Sequence, residues 1–297
     1  MKGDHGTGAL LELAEHAESL GFDSLWVGDS LTARPRHEPM TLLSAVAART
    51  TTVAIGTAVL IPALRNPVIL AHQVATLDRI AEGRLILGVG IGADLQNSRL
   101  EFEFAGVPFD GRVGRMNESF RLCKALWTGE PVDWDGRWTL KGATVEPTPH
   151  RLGGPPIWYG GQTSHGRERT GKLYEGWFPN RPTPEEYKAQ LEEVRSCALA
   201  AGRDPGDITA AIYLTLALDV DKFRAEQVLD SYLEQYYDMP AAVMRERMRC
   251  FGGSAEDAMA WIKQYVDAGA THVMLRFAGD HQRHLEIGSQ IKRDLGW

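Results

Sequence analysis

Gly160-Gly161-Gln162-Thr163-Ser164 lies between an apolar extended run and a helical stretch. Successive backbone N–H groups at such a junction, backed by the helix dipole, form a nest for a phosphate, and Thr163 or Ser164 can add a hydroxyl. A plain turn with an N-cap has the same spacing, so the residues alone leave both open. Gly88-Val89-Gly90-Ile91-Gly92-Ala93 fits the G-x-G-x-x-A pattern of a dinucleotide loop. That loop normally opens the first strand–helix unit of its domain, and two such units precede it here. The better reading is that glycine lets the backbone approach a flat ligand closely.

Charged candidates sit at the ends of other extended runs. Asp29 closes one, where a carboxylate either acts on substrate or orients a loop. Arg276 closes the last, beside Phe277, as an anion anchor or half of an ion pair. His37 lies in the loop after Asp29, a setting in which a histidine is more often solvated than functional. His281 and His284 have no third ligand in view, so no metal is expected. Cys123, Cys197 and Cys250 are far apart and make no metal or redox pair. No Ser-His-Asp order, nucleophile elbow or Walker loop is present.

The elements that must position these residues alternate along the whole chain. Leu10, Leu13, Ala14, Ala17 and Leu20 recur at helical spacing before Gly21. Extended runs follow at Ser24–Gly28, Val53–Val59, Leu85–Gly90, Pro156–Gly161, Gly176–Asn180, Ile208–Leu218 and His272–Phe277. Asn66-Pro67, Thr183-Pro184-Glu185-Glu186 and Ser254 with Asp257 read as helix starts. A helix over about 112–128 places Val113, Met116, Phe120, Cys123 and Trp127 on one face, with Cys123 a small core residue. Asp135-Gly136 predicts a tight hairpin with a type I′ turn, an excursion over about 130–154. Seven parallel-type strands, each but the last feeding a helix, make an eight-fold (β/α) barrel, a TIM barrel, the closest architecture. The first strand is then missing or atypical, because the chain begins inside a helix. A doubly wound open sheet is the alternative. One domain spanning 1–297 is expected, with the strand ends Asp29-Ser30, Ala58-Val59, Gly90–Ala93, Gly160–Thr163, Asn180 and Arg276 lining its pocket.

Composition narrows the class of function. The 297 residues are 43% hydrophobic and 24% charged, with net charge −7, ordinary for a globular chain and no attraction for polyanions. Nucleic acid is not expected as a partner. No apolar run approaches the roughly 20 residues of a membrane span, and the N-terminus turns amphipathic before any export signal forms. The expected setting is a reduced cytoplasm.

Read together, the motifs resemble the bacterial luciferase-like family of flavin- and deazaflavin-dependent oxidoreductases. The carrying residues are Gly21–Asp29, Ile55–Val59, Arg65-Asn66-Pro67, Ala75–Arg84, Leu87–Gly92, Arg112–Gly129, Pro155–Gly161 and Gly176–Asn180. The resemblance implies a barrel holding FMN, or alternatively coenzyme F420, at its C-terminal mouth. It also implies a non-prolyl cis peptide at Ala58-Val59 behind the redox ring. Gly90, Ile91 and Gly92 would line the cofactor cavity, and Gly160, Gly161, Gln162 and Thr163 would take the phosphate. Asp29, Ser30 and His37 are the catalytic candidates near the reacting face, with Arg276 as a substrate anchor.

The leading expectation from the resemblance is a monooxygenase using reduced FMN, supplied by a separate reductase, on an organic, partly apolar substrate. The alternatives are F420-dependent hydride transfer and a non-catalytic flavin-binding protein. A homodimer is implied in the same way. Sugar-phosphate dehydrogenases of the family carry histidine where this chain has Ser30 and glutamate where it has Ala93, which speaks against that activity. Trp158, Tyr159, Trp177, Phe178 and Phe277 are expected near the mouth, about half of them turned into the core.

Overall fold

A computed structural model describes residues 6–32, 34 and 36–297. The chain divides into two compact units: Leu10–Glu15 with Asp23–Ile157, and His16–Phe22 with Trp158–Trp297 and the start of the chain. The helix α1 (Thr7–Ser19) comes first, and among the described residues no strand precedes it.

In the Asp23–Ile157 unit, β1 (Ser24–Val27), β2 (Ala54–Thr57) and β3 (Leu85–Val89) run parallel, with Val27 opposite Thr57 and Ile55 opposite Leu85. β3 is buried along its whole length, as expected of a parallel strand covered on both faces. Helices α2 (Pro39–Arg49) and α3 (Pro67–Ile80) carry the chain back between strands. Asn66 caps α3 by accepting from the Val68 N–H at 2.9 Å. Pro67 takes the first helical position, where a missing N–H costs nothing. Two further helices follow, α4 (Gln96–Phe104) and α5 (Arg112–Leu126). Along α5 the apolar spacing works for four of the five residues: Met116, Phe120, Cys123 and, just beyond, Trp127 are buried, while Val113 in the first turn is half-buried. The Trp127 indole N–H donates to the Ala71 carbonyl at 3.0 Å, and burial pushes the Cys123 thiol far up, as for a core cysteine.

The hairpin β4 (Val132–Asp135) and β5 (Thr139–Ala143) forms where Asp135-Gly136 predicts it, but with a different turn. Asp135 pairs with Thr139, so Gly136, Arg137 and Trp138 make a three-residue loop, and neither Asp135 nor Gly136 has positive φ. The buried carboxylate of Glu118 on α5 dictates this. Its Oε1 accepts the Arg137 backbone N–H at 2.7 Å, and its Oε2 accepts the Arg137 guanidinium at 2.6 Å. Burial pushes the Glu118 carboxyl up, and the bonds from Arg137 and Trp134 more than reverse it, leaving it below the ordinary carboxylate range. A carboxyl depressed by folding stabilises the fold above its unfolded pKa and loses that contribution as pH falls through the folded value. Acidification to below about pH 4 is therefore expected to free the hairpin first, and Glu118→Gln to free it at neutral pH. Amide hydrogen exchange over residues 132–143 measures both.

In the Trp158–Trp297 unit the order is β6 (Ile157–Tyr159, its first residue belonging to the other unit), α6 (Ser164–Leu173), β7 (Gly176–Trp177), α7 (Pro184–Ala200) and β8 (Thr209–Leu218). It continues with α8 (Lys222–Tyr237), α9 (Ala241–Arg247), β9 (Cys250–Gly253), α10 (Ala255–Asp267), β10 (His272–Phe277) and α11 (His281–Asp294). All its strand pairs are parallel: β6 with β7, then β8 with β7, β9 and β10. Thr183 and Glu186 form the expected capping box on α7, and Ser254 caps α10.

Two elements depart from the sequence reading. β9 is an additional strand, held because its four residues pair with Thr215–Leu218 despite carrying two glycines. The last strand does feed a helix. α11 has an interior glycine, Gly288, which would weaken an isolated helix. A Cβ there would come within 2.8 Å of the Phe277 ring and 3.3 Å of Phe22, so close packing requires glycine. On the same helix the His284 Nε2 accepts the Leu218 N–H at 2.9 Å, and its ring stacks on Phe277. His284 is thus a structural latch. No helix of the described residues is long and apolar enough to cross a membrane.

Candidate functional site

In the Asp23–Ile157 unit the strand ends lock together. The Ala58-Val59 peptide is cis, at the position the resemblance implies. Ala58 N–H donates to the Val27 carbonyl at 2.8 Å and Leu60 N–H to Gly88 at 2.8 Å, while Gly90 N–H returns to Leu60 at 2.9 Å. A Cβ on Gly90 would lie 2.7 Å from Val59 Cγ2, so only glycine lets the two loops touch. β3 is wholly buried, whereas Gly90, Ile91 and Gly92 beyond it are partly exposed. Ala58, Val59, Gly90, Ile91 and Gly92 form one ledge there.

Asp29 and Ser30 follow β1, beside that ledge, and do different things. The Asp29 carboxylate, its side chain 5% exposed, accepts the Ile61 N–H at 2.9 Å and Arg65 through both oxygens at 2.6 and 3.1 Å. Arg65 also reaches Glu38 at 3.0 Å. Burial works against the Arg65 charge, and its bonds to Asp29 and Glu38 more than offset this, raising its pKa. Asp29 thus orients the loop, with both oxygens committed. The Ser30 hydroxyl donates to the buried Glu101 carboxylate on α4 at 2.7 Å and accepts the Arg34 N–H at 2.8 Å. Glu101 also accepts the Thr32 N–H at 2.9 Å. One lone pair of the Ser30 hydroxyl remains for a substrate hydroxyl. His37 is exposed and lies two residues before α2.

In the Trp158–Trp297 unit the segment Gly160–Thr163 joins β6 to α6. Thr163 caps α6, its hydroxyl accepting from the Gly166 N–H at 3.1 Å. The N–H groups of Gly161, Gln162 and Thr163 find no backbone acceptor among the described residues. The Gly161 carbonyl is held by the Trp177 indole N–H at 2.8 Å. The Gln162 amide donates to Asn180 Oδ1, and its own Oε1 is buried without a partner. The donor set suits a phosphate, and the orphaned Oε1 suits a hydroxyl donor such as one on a ribityl chain. Arg276 ends β10 and donates from Nε to the Tyr213 hydroxyl at 2.6 Å and from Nη1 to Tyr237. Trp158, Tyr159, Trp177, Phe178 and Phe277 are all at most 6% exposed, so the inward share is larger than expected.

Glu101 and Arg65 bond the candidate residues Ser30 and Asp29, and Glu38 bonds Arg65, contacts that sequence spacing does not single out. Glu101 sits in Glu101-Phe102-Glu103-Phe104, and only the fold shows that Glu101 is buried while Glu103 is exposed.

A model of the luciferase-like monooxygenase family matches residues 2–286. The F420-dependent glucose-6-phosphate dehydrogenase of Mycolicibacterium gilvum is 31% identical, over 96% of this chain and 92% of its own. Among solved structures, an F420-dependent secondary alcohol dehydrogenase with an F420–acetone adduct has a TM-score of 0.84 at 21% identity, covering 97% of this chain and 94% of its own. The monooxygenase RslO1 from Streptomyces bottropensis has a TM-score of 0.83 at 22% identity, over 99% and 96%. The fold class is α/β, the luciferase-like TIM barrel, and the chain is an enzyme, an oxidoreductase. The chain belongs to the luciferase-like monooxygenase family.

Proposed function

We propose that this oxidoreductase transfers hydride between coenzyme F420 and a small organic substrate. The observation that carries this reading is the 31% identity, over nearly the full length of both chains, to an F420-dependent dehydrogenase. A monooxygenase using reduced FMN, the leading expectation from the resemblance, has behind it a likeness of fold at 22% identity. The substrate differs from glucose 6-phosphate in this reading, because Ser30 and Ala93 stand where the sugar-phosphate dehydrogenases resembled above carry their histidine and glutamate.

Each unit taken by itself fits one part of such a cofactor. In the Asp23–Ile157 unit the ledge of Ala58, Val59 and Gly90–Gly92 suits a flat ring, and in the Trp158–Trp297 unit the backbone N–H groups of the Gly160, Gly161, Gln162 and Thr163 segment suit a phosphate. When bound, the deazaflavin supplies the hydride acceptor or donor. The chain's own contribution is binding, orientation and a proton path. A substrate hydroxyl donating to Ser30 Oγ can pass its proton on as Ser30 gives its own to Glu101 Oε1. Asp29 and Arg65 hold the loop that carries Ser30. The cytoplasm is part of the proposal, with Cys123, Cys197 and Cys250 as free thiols, and so is a homodimer. A flavin reductase is not required for hydride transfer to F420.

Positioned general acid–base groups contribute about 10²–10⁴-fold. Ser30→Ala is expected to lower kcat at least about 100-fold with F420 affinity unchanged, and Ser30→Thr to restore part of it. Bleaching of F420 absorbance against a panel of secondary alcohols, under nitrogen and in air, tests the function itself. Turnover indifferent to oxygen supports hydride transfer; turnover that consumes oxygen defeats it.

A further inference from the structure

Phe277 packs against α11, where the would-be Cβ of Gly288 is 2.8 Å from its ring. Arg276, one residue earlier on β10, therefore points to the opposite face of the sheet. On that face Arg276 is paired with Thr215 of β8, and Tyr213 lies two residues back on the same strand. The guanidinium carbon stands 4.7 Å from the Tyr213 ring centre, 5.5 Å from Tyr236 and 6.0 Å from Tyr237, the last two on the final turn of α8.

Guanidinium has five N–H donors. Two are used, by the Tyr213 and Tyr237 hydroxyls. Nη2 makes no hydrogen bond and Arg276 no ion pair among the described residues. A cation in so apolar a surround ordinarily brings a carboxylate with it; here it has phenols. Burial works against its charge, and the oxygens of Tyr213, Tyr237 and Tyr232 more than offset this, so it stays charged. The residue is partly exposed, so the unused donors are reachable. The Tyr213 hydroxyl accepts from Nε, which leaves its own proton to give.

We infer that Arg276 with Tyr213, Tyr236 and Tyr237 is a binding site for the carboxylate of an aryl or short-chain organic acid. The site deepens the proposed function by naming the substrate class, and rests on it only for what the substrate undergoes. A carboxylate matches the guanidinium fork in shape and carries one charge against one. The tyrosine faces suit a flat or short apolar body next to it. A phosphate dianion would call for a second cation, and the cage has one.

Isothermal titration of the full chain with benzoate and its neutral isostere benzamide tests this. Benzoate is expected to bind saturably and at least about ten-fold more tightly than benzamide, the worth of one charge-assisted bond. Arg276→Gln should abolish that preference, and Arg276→Lys should keep part of it. Tyr213→Phe, which keeps the cation, should weaken benzoate several-fold and leave benzamide alone, which serves if Arg276→Gln does not fold. Equal binding of benzoate and benzamide, or undiminished benzoate binding by Arg276→Gln, would overturn the assignment. So would a loss of F420 affinity in Arg276→Gln with competition between benzoate and F420, which would make the anion the cofactor's own. Benzoate binding by a chain that takes up no F420 would leave this site standing and remove the proposed function.

Discussion

Gly161→Val is expected to raise the Kd for F420 at least about 100-fold, the loss of two charge-assisted backbone bonds at roughly 1.5 kcal/mol each. The physical reason is local. A Cβ on Gly161 would lie 2.5 Å from the Tyr159 ring and 2.9 Å from the Gly166 carbonyl carbon, so the segment must move and its N–H groups lose their common aim. Gly160 is the control that separates ligand from fold. A Cβ there meets only the Phe178 carbonyl oxygen, at 3.6 Å, an ordinary contact. Gly160→Ala is therefore expected to melt like the parent yet bind F420 more weakly. Fluorescence quenching of F420 and a thermal melt on each variant read the two effects apart. Full affinity in both variants would remove the phosphate from this nest.

Asp29→Ala is expected to destabilise the protein by about 3–5 kcal/mol, as when one partner of a buried ion pair is removed. Arg65, 18% exposed, would keep Glu38, whose side chain is 45% exposed and also caps α2, and a long bond of 3.4 Å to the Ile61 carbonyl. The Ile61 N–H would lose its acceptor as well. Against a total stability of about 5–15 kcal/mol such a loss is plain in a urea titration. Asp29→Asn, which still accepts the Ile61 N–H, should lose less. Turnover per folded molecule should fall only modestly, because both Asp29 oxygens are engaged in holding Arg65 and the side chain is 5% exposed. A stability change under about 1 kcal/mol, the range of exposed pairs, with turnover abolished would return Asp29 to the catalytic group.

Much of the fold is legible in the sequence because local signals and burial agree. Asn66-Pro67, the Thr183 capping box and the α5 stripe of Met116, Phe120 and Cys123 each state one element and find it. Where tertiary contacts overrule a local rule, the sequence misleads. Asp135-Gly136 states a type I′ turn, and Glu118, seventeen residues upstream of Asp135, imposes another by taking the Arg137 N–H. Gly288 argues against α11, and the Phe277 ring explains it.

The site divides the same way. Of the backbone features, the Gly160–Thr163 junction follows from its residues and their place between a strand and a helix, and the cis Ala58-Val59 peptide from the family resemblance. Side-chain partnerships across loops do not: nothing in the spacing pairs Ser30 with Glu101, 71 residues apart, or Asp29 with Arg65. The spacing leaves Arg276 open between anion anchor and ion-pair half, and the fold supplies two tyrosine hydroxyls as its partners, which the spacing does not announce.

Parallel titrations of the purified chain with F420 and with FMN, each followed by fluorescence and by calorimetry, bear most directly on the cofactor. Saturable binding of F420, with FMN at least about 100-fold weaker, is the expected result. Tight saturable binding of FMN with none of F420 would contradict it.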